Sequence, residues 1–147
     1  MKSTLVQYVK TYLDQRMQTS LDAMNAAQES ANGESKSSAG DKYETSRAMG
    51  HLDRDMHSRM YHQTREERKL VERIDESINF KKGALGAFIT TSMGNFFLSV
   101  SIGQVNINEK SIMIISPQSP IGALLIGKMV EDKFSFRGKE AEILAIE

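Results

Sequence analysis

Apolar residues recur at three- and four-residue steps from the start of the chain, with Leu5, Val9, Leu13, Met17, Leu21 and Met24 on one stripe, the pattern of an amphipathic helix. Residues 29–40 then read ESANGESKSSAG, a Ser- and Gly-rich run with nothing to bury, which predicts a chain reversal. Periodicity resumes at Asp41. At ~100° per residue, Met49, Leu52, Met56, Met60, Leu70, Ile74 and Ile78 share a narrow sector. That predicts a second helix from Asp41 to about Ile78, roughly 55 Å long at ~1.5 Å per residue, with those residues as a coiled-coil seam. Methionines at such spacing are read as packing, because Met49, Met56 and Met60 carry no other signal.

From Lys81 the period changes to β-branched and aromatic runs at 87–91, 96–102, 111–115, 133–137 and 142–146, read as short strands of a mostly antiparallel sheet. Turn signals separate them at 93–95, 106–109 and 137–139. Residues 119–127 predict one short helix with Ser119 as N-cap, Pro120 at its first position and Gly127 as its stop. Leu124, Leu125 and Ile126 should feed the core. The expected architecture is α+β: an antiparallel coiled-coil hairpin over 1–79 with an acidic tip near 34–45, then a small sheet domain with one short helix over 80–147. The second part is about the smallest that can bury its own core.

The totals narrow the function classes. The chain has 147 residues, 39% hydrophobic and 26% charged, as in an ordinary soluble protein. Its 19 basic and 19 acidic residues cancel, so it lacks the overall positive field of a protein that binds free nucleic acid alone. The absence of cysteine removes disulfides, thiolate nucleophiles and cysteine zinc sites. No apolar run reaches membrane-spanning length and no signal-like core opens the chain, so a cytoplasmic protein with no membrane partner is expected. P-loop, dinucleotide fingerprint and nucleophile elbow are all missing.

Two features carry candidate chemistry. Asp41 and Glu44 stand three residues apart, so on a helix their carboxylates share one face. Two hard oxygen donors suit Mg²⁺, which keeps several waters and takes only one or two carboxylates, so a partner would complete the site. The same spacing also makes a capping box, with Asp41 as N-cap and Glu44 at N3. The wheel of the second helix groups Arg47, Arg54, Arg65 and Lys69 opposite the Met and Leu sector. That group is either a solvated, ion-paired face or a track for RNA phosphates. His51, His57 and His62 lack the i, i+4 spacing of a helical metal pair and are assigned to the surface.

The run Ser116-Pro117-Gln118-Ser119-Pro120-Ile121-Gly122-Ala123-Leu124-Leu125-Ile126-Gly127-Lys128, with Asp132 beyond it, closely resembles the C-terminal signature of the Gre family of bacterial transcript-cleavage and elongation factors. Gly40-Asp41-Lys42-Tyr43-Glu44 resembles the same family's hairpin tip. The resemblance covers essentially the whole chain. It implies an FKBP-like C-terminal domain that docks on the rim of the RNA polymerase secondary channel, with Ser119 and Pro120 on the docking surface. It also implies a hairpin that enters the channel. Asp41 and Glu44 would there help hold the second catalytic Mg²⁺, shared with the polymerase and not held stably by the chain alone. The polymerase's own hydrolysis of backtracked RNA at the nascent 3′ end would be stimulated, with the chain an accessory factor and a monomer, not an enzyme in itself. Arg47, Arg54, Arg65 and Lys69 would line the RNA or the channel wall, a reading from the wheel and not from a motif.

The family usually continues after the Glu with Asn, a small residue, Glu and Tyr, whereas this chain has Thr45, Ser46, Arg47 and Ala48. The groups that would orient the tip carboxylates are therefore changed, which bears on cleavage efficiency. This keeps open a channel binder that regulates or inhibits the polymerase without promoting cleavage. A coiled-coil adaptor is the third class. An FKBP-like sheet also invites a prolyl isomerase reading, but the aromatic-floored pocket of such enzymes usually includes Trp, and this chain has none.

Overall fold

The computed structural model describes residues 1–33 and 40–147, with side chains throughout except at 31, 33 and 40–43. The expected reversal within 29–40 therefore falls largely outside the described residues. The elements are α1 (Lys2–Gly33), α2 (Gly40–Glu72), β1 (Phe88–Thr91), β2 (Gly94–Leu98), β3 (Gly103–Ile107), β4 (Lys110–Ile115), α3 (Pro120–Leu125), β5 (Lys133–Phe136) and β6 (Lys139–Ile146). Two long helices followed by a sheet with one short helix make the fold α+β. The chain divides into two compact units, Met1–Lys10 with Leu70–Glu147, and Thr11–Lys69.

In the first unit the strands form one six-stranded sheet in the order β3-β4-β2-β1-β6-β5. All neighbours are antiparallel except β2 and β4. Ile89 pairs with Phe96 and Leu98 with Ile115, and strand alternation puts these side chains on one face. They form a cluster with Leu125 of α3, Phe134, Ala141 and Ile143. A bulge in β6 shifts the register between Thr90↔Ala145 and Thr91↔Ile143. Ile143 and Ile146, three residues apart, thereby both serve this face.

The opposite face is also apolar. Phe88 pairs with Phe97 and Phe97 with Ile114, and Phe97, Ile112 and Ile114 are 0% exposed. Leu5, Val6, Val9 and Val71 are further buried members of the same unit that lie outside the sheet and α3. Lys2 anchors the segment. Its ammonium donates to the Ile78 carbonyl and lies 4.8 Å from the Phe80 ring centroid. Burial lowers its pKa, opposed by the nearby charges of Glu147, Asp75 and Glu76.

The runs expected at 87–91, 111–115, 133–137 and 142–146 overlap β1, β4, β5 and β6, whereas the run at 96–102 ends as β2 at Leu98, the turn expected at 93–95 is partly taken up by β2, and β3 is not among the expected strands, its last two residues falling in an expected turn. Its GQVNI sequence has little β-branched character, and only Ile107 of the strand is buried. The reversal after it is the Asn108-Glu109 pair, with both residues at positive φ (52° and 66°), the backbone of a tight hairpin turn.

In the second unit α1 and α2 run antiparallel. Arg68 Nε donates to Asp14 Oδ1 at 2.9 Å and Arg54 Nη1 to Gln28 Oε1 at 2.7 Å. Asp14 to Gln28 and Arg54 to Arg68 are each two heptads apart, so the register holds between the pairs. The less exposed side of α2 follows Gly50, Arg54, His57, Tyr61, Thr64 and Arg68, a heptad spacing, with Thr64 1% exposed and its hydroxyl returned to the Met60 carbonyl.

This overturns the expected seam. Met49 is 63% exposed, Leu52 69%, Met56 42% and Met60 38%, so that stripe faces away from the packed side. A wheel orders residues only around their own axis. The Asp14 and Gln28 pairings with the neighbouring helix set the side that turns inward, and that side is polar. Helix α2 also stops at Glu72, short of Ile78. The amides of Arg73 and Ile74 bond the carbonyls of Leu70 and Val71, three residues back, which tightens the last turn. Asp75 Oδ1 then accepts from both the amide and the hydroxyl of Ser77, an Asx turn that leads the chain out of the helix and holds the Asp75 carboxyl below its ordinary pKa.

Candidate functional site

Helix α3 is built by its own sequence. Ser119 is its N-cap, with Pro120 at the first position. The Ser119 hydroxyl donates to the Ser116 carbonyl at 2.6 Å and accepts from the Gly122 amide at 3.1 Å, so both of its roles are spent inside the loop. Gly122 is buried because a Cβ there would lie 2.1 Å from the Ser116 carbonyl oxygen. Gly83 likewise sits against the far end of the helix, where a Cβ would lie 1.9 Å from the Leu125 oxygen. Its amide bonds the Lys128 carbonyl and its carbonyl accepts from Gly127.

These contacts divide the signature by role. Ser116, Ser119, Gly122 and Leu125 form the loop and its anchor, while Gln118, Pro120 and Ala123 face solvent. Of the residues expected to feed the core, Leu125 is fully buried and Leu124 half-buried, but Ile126 is 43% exposed. It follows the last helical residue, where Gly127 at φ 80° turns the chain and leaves the Ile126 side chain outside. Met129 and Val130, 46% and 47% exposed, are likewise exposed apolar residues that periodicity did not find, because they lie in a loop with no repeat. The one signal was local: Ile126, Met129 and Val130 fall within five residues of a turn.

At the other candidate site, the backbone of Asp41 lies in the first turn of α2, which starts at Gly40, two residues earlier than an N-cap role for Asp41 requires. The Asp41 side chain lies outside the described residues. Glu44 is exposed. The two backbones lie within one turn at the start of α2, and of the pair the described side chain is the exposed Glu44 carboxylate. A single carboxylate of this kind fits Mg²⁺ only as part of a shell that needs further ligands. Among the described residues no group of three His, Cys, Asp or Glu is arranged to hold a metal.

The basic residues do not share one environment. Arg47 is exposed and engaged with another residue. Arg54 is half-buried, held by Gln28 and by Asp55 at 3.0 Å. Arg65 is exposed. Lys69 is exposed and pairs with Glu66 at 3.1 Å, an ion pair of little energetic weight in water. Arg65 and Lys69, one turn apart, are thus brought together, while Arg54 is directed to α1. His51 and His57 are half-buried, His57 on the inward heptad of α2 and His51 next to Gly50 of that heptad, and His51 Nδ1 is buried without a partner. His62 is exposed, edge-on to Tyr61 at 5.6 Å.

A cleft of about 200 Å³ between Ser92, Lys133, Glu140, Ala141 and Glu142 is smaller than ordinary small-molecule sites and has no aromatic lining. Among the described residues no helix is long and apolar enough to cross a membrane. No model of a known protein family matches the chain, and no curated protein is significantly similar to it.

Proposed function

We propose that this protein is a Gre-like transcription elongation factor. In this reading it binds the secondary channel of bacterial RNA polymerase and stimulates the polymerase's own hydrolysis of backtracked RNA. The observation that supports it best is the 116–128 signature. It forms a capped helix whose Ser and Gly positions are used internally and whose Pro120 and Ala123 are displayed, in a chain whose second long helix opens with Asp41 and Glu44. The sheet unit, FKBP-like in this reading, docks on the channel rim. Asp41 and Glu44 supply carboxylate oxygens to a Mg²⁺ shared with the polymerase, and such an ion lowers the pKa of its water and stabilises the leaving oxygen. The protein acts as a cytoplasmic accessory factor, and exposed Arg65 with Lys69 contacts RNA phosphate or the channel wall.

The test is RNA cleavage in purified, backtracked elongation complexes with Mg²⁺, comparing wild type with Asp41→Asn and Glu44→Gln. Cleavage stimulated by wild type and lost in both variants is expected. A protein that neither binds the polymerase nor stimulates cleavage sinks the proposal. The exposed Thr45 and Arg47 beside Glu44, where the family usually has Asn and Glu, favour the second reading of a channel binder that regulates without cleaving. Binding to the polymerase without cleavage selects it.

A further inference from the structure

We propose that the outer edge of β3 pairs with the same edge of a second copy of this chain, joining two sheets across a two-fold axis at Val105. The proposal does not rest on the function proposed above, and it departs from the monomer that the family resemblance implies.

Strand β3 closes one side of the sheet and β5 the other. Ile107 and Lys110 face each other across the two-residue turn Asn108-Glu109, which makes them a hydrogen-bonded pair. Bonded and non-bonded pairs alternate along an antiparallel ladder. Gly103 and Val105 therefore also bond β4, while the N–H and C=O groups of Gln104 and Asn106 point away from the sheet. No described residue bonds those outward groups, and both residues are exposed. Such an edge is a template for another strand, and proteins guard it with charge or proline. The β5 edge carries Lys133, with Arg137 at its turn. Residues 95–108, which include β3, hold neither a charged residue nor a proline.

The occupant is a second copy because the edge complements itself. Set antiparallel about Val105, Gln104 lies opposite Asn106 of the second copy and Asn106 opposite its Gln104, and each pair exchanges both of its backbone hydrogen bonds. Val105 meets its own counterpart at the closely spaced non-bonded position, a β-branched cross-strand contact. The Gln104 Nε2 donates to Ser111 Oγ at 2.6 Å, which leaves its Oε1 to accept from Asn106 of the second copy, whose side-chain amide is uncommitted among the described residues. With no charge on the strand, the two-fold brings no like charges together. Each copy spends its open edge on the other, so the assembly closes at a dimer. A strand of five residues buries less than a standard interface, which makes the dimer weak and concentration-dependent.

The experiment is sedimentation velocity of the full-length protein from micromolar to near-millimolar concentration, comparing wild type with Gln104→Pro. Proline there removes an outward N–H and none of the bonds to β4, a change that an edge strand tolerates. Amide hydrogen exchange of wild type is followed by NMR at both ends of the same range. Wild type is expected to reach a dimer, and Gln104→Pro to weaken it by roughly tenfold or more, because one bond is lost from each of the two symmetric pairs. The Gln104 and Asn106 amides should exchange more slowly as concentration rises, while those of Val105 and Ile107, bonded to β4, are protected throughout. A wild-type protein that stays monomeric overturns the proposal and leaves the edge to a strand of another protein. A dimer whose Gln104 and Asn106 amides exchange as fast as in the monomer, or one that Gln104→Pro retains in full, puts the contact elsewhere and overturns it equally. If Gln104→Pro does not fold, the exchange measurement decides alone.

Discussion

Gly122→Ala is the sharpest probe of how the 116–128 signature works. The added Cβ would stand 2.1 Å from the Ser116 carbonyl oxygen and 2.7 Å from Ser119 Oγ, so backbone must move. The displaced carbonyl is the one that accepts the Ser119 amide at 3.0 Å and its hydroxyl at 2.6 Å, and the displaced hydroxyl caps Gly122. Losing the cap costs roughly 1 kcal/mol, and the two bonds to Ser116 about 1 kcal/mol each. Alanine returns about 1 kcal/mol of helix propensity. The net loss is about 2 kcal/mol, or about 4–8 °C in melting temperature for a chain of this size. Gly127→Ala is the comparison: nothing lies within 4 Å of its added Cβ, and only its φ of 80° opposes the change. Guanidinium unfolding and thermal melting of the three proteins should order them wild type, Gly127→Ala, Gly122→Ala. A Gly122→Ala protein as stable as wild type would refute the close approach and leave the glycine of the signature without its structural explanation.

Other outcomes follow from burial. Leu52→Gln should change the unfolding free energy by less than about 0.5 kcal/mol, because the side chain is 69% exposed, while Leu13→Ala, at 0% exposed, should cost about 2–5 kcal/mol; the reverse order in denaturant titrations would restore the Met and Leu stripe as the seam. A fragment of residues 80–147 lacks Leu5, Val6, Val9 and Val71, buried members of the same compact unit, and should bind a hydrophobic dye and lack cooperative unfolding; a sharp melting transition would show that these four are not needed to complete that unit's core. For Lys2 the folded pKa lies below its ordinary 10.5, so the folded state releases this proton first. The cost of burying the charge is then present at neutral pH, and stability attributable to Lys2 rises as pH climbs between the lowered value and 10.5. The stability difference between wild type and Lys2→Met should shift in wild type's favour across that window, and a pH-independent difference would refute the assignment. Ser77→Ala removes the hydroxyl bond and keeps the amide bond, so it should move the Asp75 pKa part of the way back toward its ordinary range, read by NMR titration of the carboxyl; an unchanged titration would show that the Ser77 hydroxyl does not hold it down.

Much of the fold was legible because its signals are local. Ser119, Pro120 and Gly127 set the ends of α3 through hydrogen bonds within a few residues, and the paired runs of Phe, Ile and Val mark strands wherever they lie. Asp41 and Glu44 share a turn of α2 because three residues on a helix do so anywhere. The polar inward side of α2 was not legible, since Arg54 and Arg68 turn inward toward Gln28 and Asp14, residues far away in the chain. Nor was the exposure of Ile126, Met129 and Val130, which lie on a loop tied by Gly83 and Ile143, residues distant in the chain. By itself the sequence determined element types, caps and turns, which depend on neighbours along the chain. The tertiary structure decided which faces are covered, because burial of a face depends on the element opposite it.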